Sequence, residues 1–382
     1  MTQLGLDDIG PLPDHLRQGG GATVPIVTPM GDRMWLVRDY ALARLVLADA
    51  RFSRAEAVTP HAPRFNDAQP VPASMMSMDG SEHARLRRII TGTFTSGRVA
   101  AMAPGIERLV DRHLDDLEAA GPGADVMDRL AVPLPLAVLC TLMGVPHEDS
   151  RRFGTWVGVL FDISASTPQQ KVRHRVELAR YMAGLVERKR REPGADLLTA
   201  LIERQEGGEL SRTELVTMGL SLLMAGYETT IGQIGLTVLS LLAGPDRRDG
   251  FLERPAAAVE ELLRLNPSTP LSFPRVAVET VELGDVTVRA GDGVLVSLFD
   301  ANRDERVFPA GAAEDRRPAP HLTFGHGPHR CPGAPLAQLQ VRIAVERLLR
   351  RFPQLRLTDD DRAVVWNDGL LTRGPAHLHV SW

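Results

Sequence analysis

The chain has 382 residues, of which 43% are apolar and 24% charged, with a formal net charge of −4. That length and apolar fraction suffice for a core able to enclose a large ligand, and the small negative charge gives no electrostatic reason to expect nucleic acid as a partner. Two cysteines exclude a disulfide framework and suit a reducing cytoplasm, and Met1 to Gly21 holds acids, prolines and three consecutive glycines but no apolar span, so neither a secretory leader nor a membrane anchor is expected.

Pro25 to Val37 alternates around Gly31-Asp32, which predicts a hairpin, and Asp39 to Ala48 has helical spacing with a polar face. Thr59 to Met78 is proline-rich and reads as a loop. From Asp79 to Arg88, His83 and Arg87 are four apart and project together from a helix, two cations suited to a dianionic ligand, while Arg85 and Arg88 read as a solvated face. Ala100 to Ala119 is predicted as one helix, and Cys140, beside the apolar run Leu134 to Leu139, reads as core. His174 to Arg191 is helical, with Arg188-Lys189-Arg190-Arg191 at the dipole-favoured end before Pro193-Gly194.

Ser211 to Ala243 is long and apolar, opened by a capping box of Ser211 and Glu214 and stopped at Gly244-Pro245. So apolar a helix belongs in a core, yet it carries Glu228, Thr229 and Thr230. Buried acids and hydroxyls without hydrogen bonds cost about 1–3 kcal/mol each, so a function is expected to retain them. The structural alternative is that Thr229 bonds the carbonyl one turn earlier. Ala256 to Leu265 is helical and sets Glu261 and Arg264 on one face, which alone reads as a solvated ion pair. Val281 to Leu298 alternates like strands, broken at Gly284-Asp285 and at Gly291-Asp292-Gly293.

The most informative stretch is Phe324-Gly325-His326-Gly327-Pro328-His329-Arg330-Cys331-Pro332-Gly333. Gly325, Gly327 and Gly333 permit positive φ and close approach, and the apolar run from Ala334 to Leu349 predicts a helix whose positive end would favour a thiolate at Cys331. His321, His326, His329 and Cys331 are also four potential zinc ligands, although without the paired spacing of ordinary zinc modules.

This ten-residue run resembles the haem-binding signature of the cytochrome P-450 haem-thiolate monooxygenases, and Ala225-Gly226-Tyr227-Glu228-Thr229-Thr230, Glu261-Leu262-Leu263-Arg264 and Asp79 to Arg88 resemble three further segments of that family in the right order. The resemblance implies a mainly α fold with small β-sheets, one haem-centred domain over residues 1–382, haem b as cofactor, and Cys331 as the iron ligand. It implies haem contacts from Ala225, Phe324, Gly325 and Gly333. It places His83, Arg87, Arg275 and His329 on the propionates, and Glu228 and Thr229 in proton delivery, with Thr229 opening the helix at Gly226. Arg316 would complete the network of Glu261 and Arg264. Gly80-Ser81-Glu82 stands where the family commonly has Pro-Pro-Glu, which puts the shape of that loop in question.

The family also implies O2, electrons from a ferredoxin and its NAD(P)H-dependent reductase, and a monomeric enzyme acting on a small molecule. By position, Phe65, Asn66, Met75, Met78, Tyr227, Leu271, Phe273 and Trp366 are substrate candidates, and Asn66, Gln69, Tyr227 and Asn367 give the pocket polar points suited to a partly polar natural product. Whole-chain resemblance is closest to actinobacterial tailoring enzymes. Trp35-Leu36-Val37, Tyr40-Ala41-Leu42, Arg51-Phe52-Ser53, Ala62-Pro63-Arg64 with Asn66, and Val364-Val365-Trp366 resemble the subgroup that oxidises aromatic cyclodipeptides, with macrolide and polyketide hydroxylases as the alternative. A haem-thiolate sensor would share Cys331, His83 and Arg87 but would have no need of Glu228-Thr229.

Overall fold

The computed structural model describes residues 20–65, 71, 73–146, 149, 155, 156, 159, 167–244, 246–309, 319–358, 364–367 and 372–382. In chain order its principal elements are β1 (Thr23–Val27), β2 (Arg33–Val37), α1 (Tyr40–Ala48), β3 (Phe52–Ser53), α2 (Gly80–Thr91), α3 (Ser96–Ala101), α4 (Ala103–Ala120), β4 (Ala124–Asp125), α5 (Pro133–Met143), α6 (Pro168–Arg191), α7 (Leu197–Glu206), α8 (Arg212–Leu242), α9 (Asp246–Glu253), α10 (Pro255–Leu265), β5 (Arg275–Ala277), β6 (Val281–Leu283), β7 (Val286–Val288), β8 (Gly293–Val296), α11 (Leu298–Ala301), α12 (Ala334–Arg351), β9 (Arg356–Leu357) and β10 (His379–Ser381). The fold is mainly α with small sheets, as the sequence implied. No described helix is long and apolar enough to cross a membrane.

Contacts group the chain into two compact units interleaved in sequence, one of Leu86–Glu260 with Pro332–Trp382 and one of Thr2–Arg85 with Glu261–Cys331. The second is built on a five-stranded sheet of order β1-β2-β8-β5-β3, in which β2 and β8 run parallel and the other neighbours antiparallel. Leu36, Val37, Phe52, Val294 and Val296 are all inaccessible to solvent. Val37, Phe52, Val294 and Val296 pack with Ala43 and Val46 of α1 and Leu322 into one core. The alternation of Val281 to Leu298 resolves into the β6–β7 hairpin, turned at Gly284 with φ 67°, and β8.

The first unit is helical around α8, 31 residues or about 46 Å long. Its capping box forms as expected: Glu214 N–H donates to Ser211 Oγ at 3.1 Å and Ser211 N–H to Glu214 Oε2 at 2.7 Å. From Thr230 to Leu241 every residue is buried, against α5, α6 and α12 among others. The single helix expected over Ala100 to Ala119 is two, α3 and α4, because Pro104 begins a new helix in its first turn, where its missing N–H costs nothing. β4, β10 and β9 form a small antiparallel sheet.

Candidate active site

In the sheet unit, the cysteine loop turns twice through glycine. Gly325 and Gly327 have φ of 71° and 72°, a region that disfavours side chains. A Cβ on Gly327 would stand 2.7 Å from Ala48 Cα and 2.8 Å from Leu47 O, so the loop lies directly on the end of α1. Cys331 N–H donates to Phe324 O at 2.8 Å, closing the loop and holding the half-buried thiol at its end. Gly333 corrects the expectation of a third left-handed glycine: with φ −81° it is the residue before α12, where ordinary backbone suffices.

His83 and His329, expected to share a ligand, do come together. His83 is buried and its ring lies 4.0 Å from that of His329. Asp79, whose role the sequence did not reveal, organises this corner. Its Oδ2 accepts from Ser53 Oγ at 2.6 Å and from the N–H groups of Arg54 and Ala55 at 2.8 Å each, and its Oδ1 lies 3.3 Å from His329 Nε2. Burial works to raise the Asp79 pKa, but the hydrogen bonds from His329, Ala55 and Ser53 outweigh it and hold the carboxyl well below the usual range. Burial pushes His329 down, with Arg275 and Arg54 adding to it against the pull of Asp79. Arg275 is also buried, its Nη1 and Nη2 donating to Phe52 O and Leu47 O at 2.9 and 3.2 Å. Arg87 is half-buried, one turn beyond His83 on α2.

Glu261 and Arg264 are not the solvated pair that spacing alone suggests. Arg264 holds both carboxylate oxygens, at 2.6 and 2.8 Å, with its side chain 13% exposed. Its Nη1 donates to Asn302 O at 2.6 Å. Asn302, fully buried, accepts from Leu322 N–H at 2.6 Å and donates to Thr323 Oγ1 at 2.9 Å. The network therefore ends on the residues that lead into the cysteine loop. Arg316, expected as its third member, lies outside the described residues, as do Asn66 and Gln69. His321, His326, His329 and Cys331 do not gather as metal ligands: among the described residues the only such group is Asp125, His377 and His379.

In the helical unit, α8 presents Ala225, exposed, and Thr229, half-buried, one turn apart on a helix that is otherwise largely buried. The helix is continuous, so the expected opening at Gly226 is absent. Thr229 Oγ1 instead donates to Ala225 O at 2.8 Å, spending its proton along the helix and leaving the backbone ladder intact. Glu228 is 8% exposed, and burial pushes its pKa up to about 7. Burial, with Glu228 next to it, pushes Tyr227 up to about 12.

Of the other substrate candidates, Phe273 is 52% exposed, Phe65, Met75, Met78 and Leu271 are half-buried, and Tyr227 is 6% exposed. Trp366 is half-buried, with Arg373 5.1 Å over its ring. In the sheet unit the residues present suit a haem: a thiol on a glycine loop and buried cations for its acidic edge, including an Arg275 Nε without a hydrogen bond.

The profile of the cytochrome P-450 family matches residues 14–249 and 256–378. This chain is a cytochrome P-450. Its cofactor is accordingly haem b and its activity that of a monooxygenase. It is 40% identical, over 93% of its length and 91% of the relative's, to the mycinamicin IV hydroxylase/epoxidase of Micromonospora griseorubida. It is 41% identical, over the same shares, to the nocardicin C N-oxygenase of Nocardia uniformis subsp. tsuyamanensis. It superposes with a TM-score of 0.85 and 37% identity on a cytochrome P-450 with biaryl coupling reactivity, covering 92% of this chain and 90% of that one. The chain thus belongs with P-450 enzymes of bacterial secondary metabolism.

Proposed function

We propose that this P-450 is a haem-thiolate oxidase of specialised metabolism in which Cys331 is the iron ligand, acting in the cytoplasm on a partly polar natural product. The observation that carries the reading is the Cys331 loop, closed on Phe324 and turned through two left-handed glycines. When bound, the haem supplies activation of O2, and the thiolate donates electron density toward it. The protein's own residues do the rest. His83, Arg87, Arg275 and His329 hold the acidic edge, and Phe324, Gly325, Gly333 and Ala225 make room for the ring. Glu228, poised near neutrality, takes up and releases protons, and Thr229 Oγ1 passes them on by exchanging its bond to Ala225 O. We take residues 1–382 to act as one haem-centred domain and as a monomer, with electrons from a ferredoxin and its NAD(P)H-dependent reductase.

Relatives that hydroxylate or epoxidise, N-oxygenate and couple aryl groups share the scaffold, so the family does not set the reaction. Phe65, Asn66, Met75, Met78, Tyr227, Leu271, Phe273 and Trp366 stand as the substrate contacts of this proposal. The macrolide reading is the better supported of the two, given the mycinamicin enzyme's likeness. Several segments that suggested cyclodipeptides are core: Leu36, Val37 and Phe52 have no exposure and Tyr40 has 5%. They pack the sheet and report on fold, not on substrate.

The test is the absorption spectrum of the reduced protein under carbon monoxide, beside that of Cys331→Ser, followed by titration of the haem band with mycinamicin IV and with a tryptophan cyclodipeptide. A strongly red-shifted Soret band that is lost in the variant is expected. A histidine-type band in both proteins would overturn the reading, and a shift with the cyclodipeptide alone would reverse the substrate preference. Thr229→Ala should keep the haem band but divert electrons to hydrogen peroxide, and unchanged product per NADPH would remove Thr229 from proton delivery.

A further inference from the structure

Arg54 follows β3 in a polar stretch where a basic side chain would ordinarily be solvated, yet it is 7% exposed. Its Nε donates to Met76 O at 3.1 Å, its Nη1 donates to Pro274 O, and its guanidinium carbon lies 5.2 Å from the centre of the Phe273 ring. Nη2 has no hydrogen-bond partner among the described residues. In the antiparallel pairing of β3 with β5, Phe52 stands opposite Ala277 and Ser53 opposite Val276, and Arg54 and Arg275 are the two residues that follow this last pair on the same side.

Like charges held this near repel, and Arg275 works against the charge on Arg54. Arg275 is 4% exposed and likewise incomplete, its Nη1 and Nη2 on backbone carbonyls and its Nε without a hydrogen bond. Burial lowers both guanidinium groups to about 10, in Arg54 with Arg275 adding to the effect. The acid that acts on both, Asp79, is already committed to Ser53, Ala55, His329 and the Arg54 backbone, and neither arginine forms an ion pair among the described residues. Carbonyl dipoles orient these two cations but do not neutralise them. An anion does both, and a carboxylate presents acceptors matched to such donors.

We propose that Arg54, through Nη2, is a further carboxylate ligand paired with Arg275. The carboxylate comes from a haem propionate, in which case the pair rests on the haem-thiolate reading above, or from the substrate. Arg54 thereby joins Met76 of one candidate substrate segment and Phe273-Pro274 of another to the anion it holds.

The test compares wild type, Arg54→Met and Arg54→Lys as holoproteins. Release of haem b and of its dimethyl ester into excess apomyoglobin is timed, and the haem band is titrated with dodecanoic acid and with dodecanol. Loss of a charge-assisted bond is expected to change a rate or affinity about tenfold. If Arg54→Met releases haem b about tenfold faster and the ester at the wild-type rate, the propionate is the occupant. If haem release is unchanged while dodecanoic acid binds about tenfold more weakly and dodecanol as before, the occupant is a substrate carboxylate. Unchanged rates and affinities overturn the pair. Should Arg54→Met not accumulate, Arg54→Lys carries the same comparison with a smaller factor, because it keeps the charge but not the fork. The carbon monoxide band of wild type is read first: its absence counts against the haem-thiolate reading, whereas unchanged rates in a protein that has it count against the pair.

Discussion

Arg264→Ala should unfold about 3 kcal/mol more easily than wild type and should be recovered without haem. The magnitude follows from what the side chain holds. Removing one partner of a buried ion pair strands the other and costs about 3–5 kcal/mol, and Glu261, with 31% of its side chain exposed, recovers part of that through water. The substitution also strips Asn302 O of its 2.6 Å donor and removes the cation 4.8 Å over the Phe308 ring. The loss of haem follows from where the network ends. Asn302 holds Leu322 and Thr323, Thr323 Oγ1 donates to Leu263 O at 2.8 Å on α10, and Phe324 receives the Cys331 N–H. Loosening Asn302 therefore loosens both ends of the thiolate loop without touching it. Arg264→Lys, a point charge without the two-pronged fork, should fall between. Urea midpoints and haem content per chain check the claim, and a fully loaded Arg264→Ala protein of wild-type midpoint would refute it.

The parts of this site that could be read in advance are those whose reasons are local. Gly325 and Gly327 were legible because a left-handed turn needs glycine, the Ser211–Glu214 box because its two bonds close within four residues, and the basic end of α6 because a helix dipole acts only there. Thr229 was legible as an exception in an apolar helix but not in its bond, since a threonine can either break into the ladder or donate to the carbonyl a turn back. What escaped depends on distant pairing. Asp79 meets His329 across 250 residues, and Arg54 looks like any surface arginine until the β3–β5 pairing brings it near Arg275. Asn302 has no motif, and only the fold makes it the joint between α10 and the cysteine loop. In each case the residue type is common and the partner is fixed by topology, which no window of neighbouring sequence contains.

Glu228→Gln should make the protein more stable at pH 8 and leave it unchanged below about pH 4.5. Burial raises the Glu228 pKa from 4.5 to about 7, so the folded state keeps a proton that the unfolded chain releases. Below 4.5 both states are protonated and the group costs nothing. Between 4.5 and 7 the folded state binds more protons, so stability falls as pH rises. Above 7 both states are ionised and the penalty is complete, at most about 3 kcal/mol for a shift of this size at a site 8% exposed. Glutamine keeps the shape of the protonated acid and removes the charge, so the difference between variant and wild type should grow from zero across that window and then level off. Urea unfolding at pH 5, 6, 7 and 8 measures it, and a difference independent of pH would show that the carboxyl is not the buried titrating group. The penalty is what a proton-delivery role requires. An acid that titrates near neutrality gives and accepts protons at comparable cost, and burial is what brings Glu228 there. Glu228→Gln should therefore gain stability and lose coupling of electrons to product together, whereas a glutamate kept only for packing would show the first without the second.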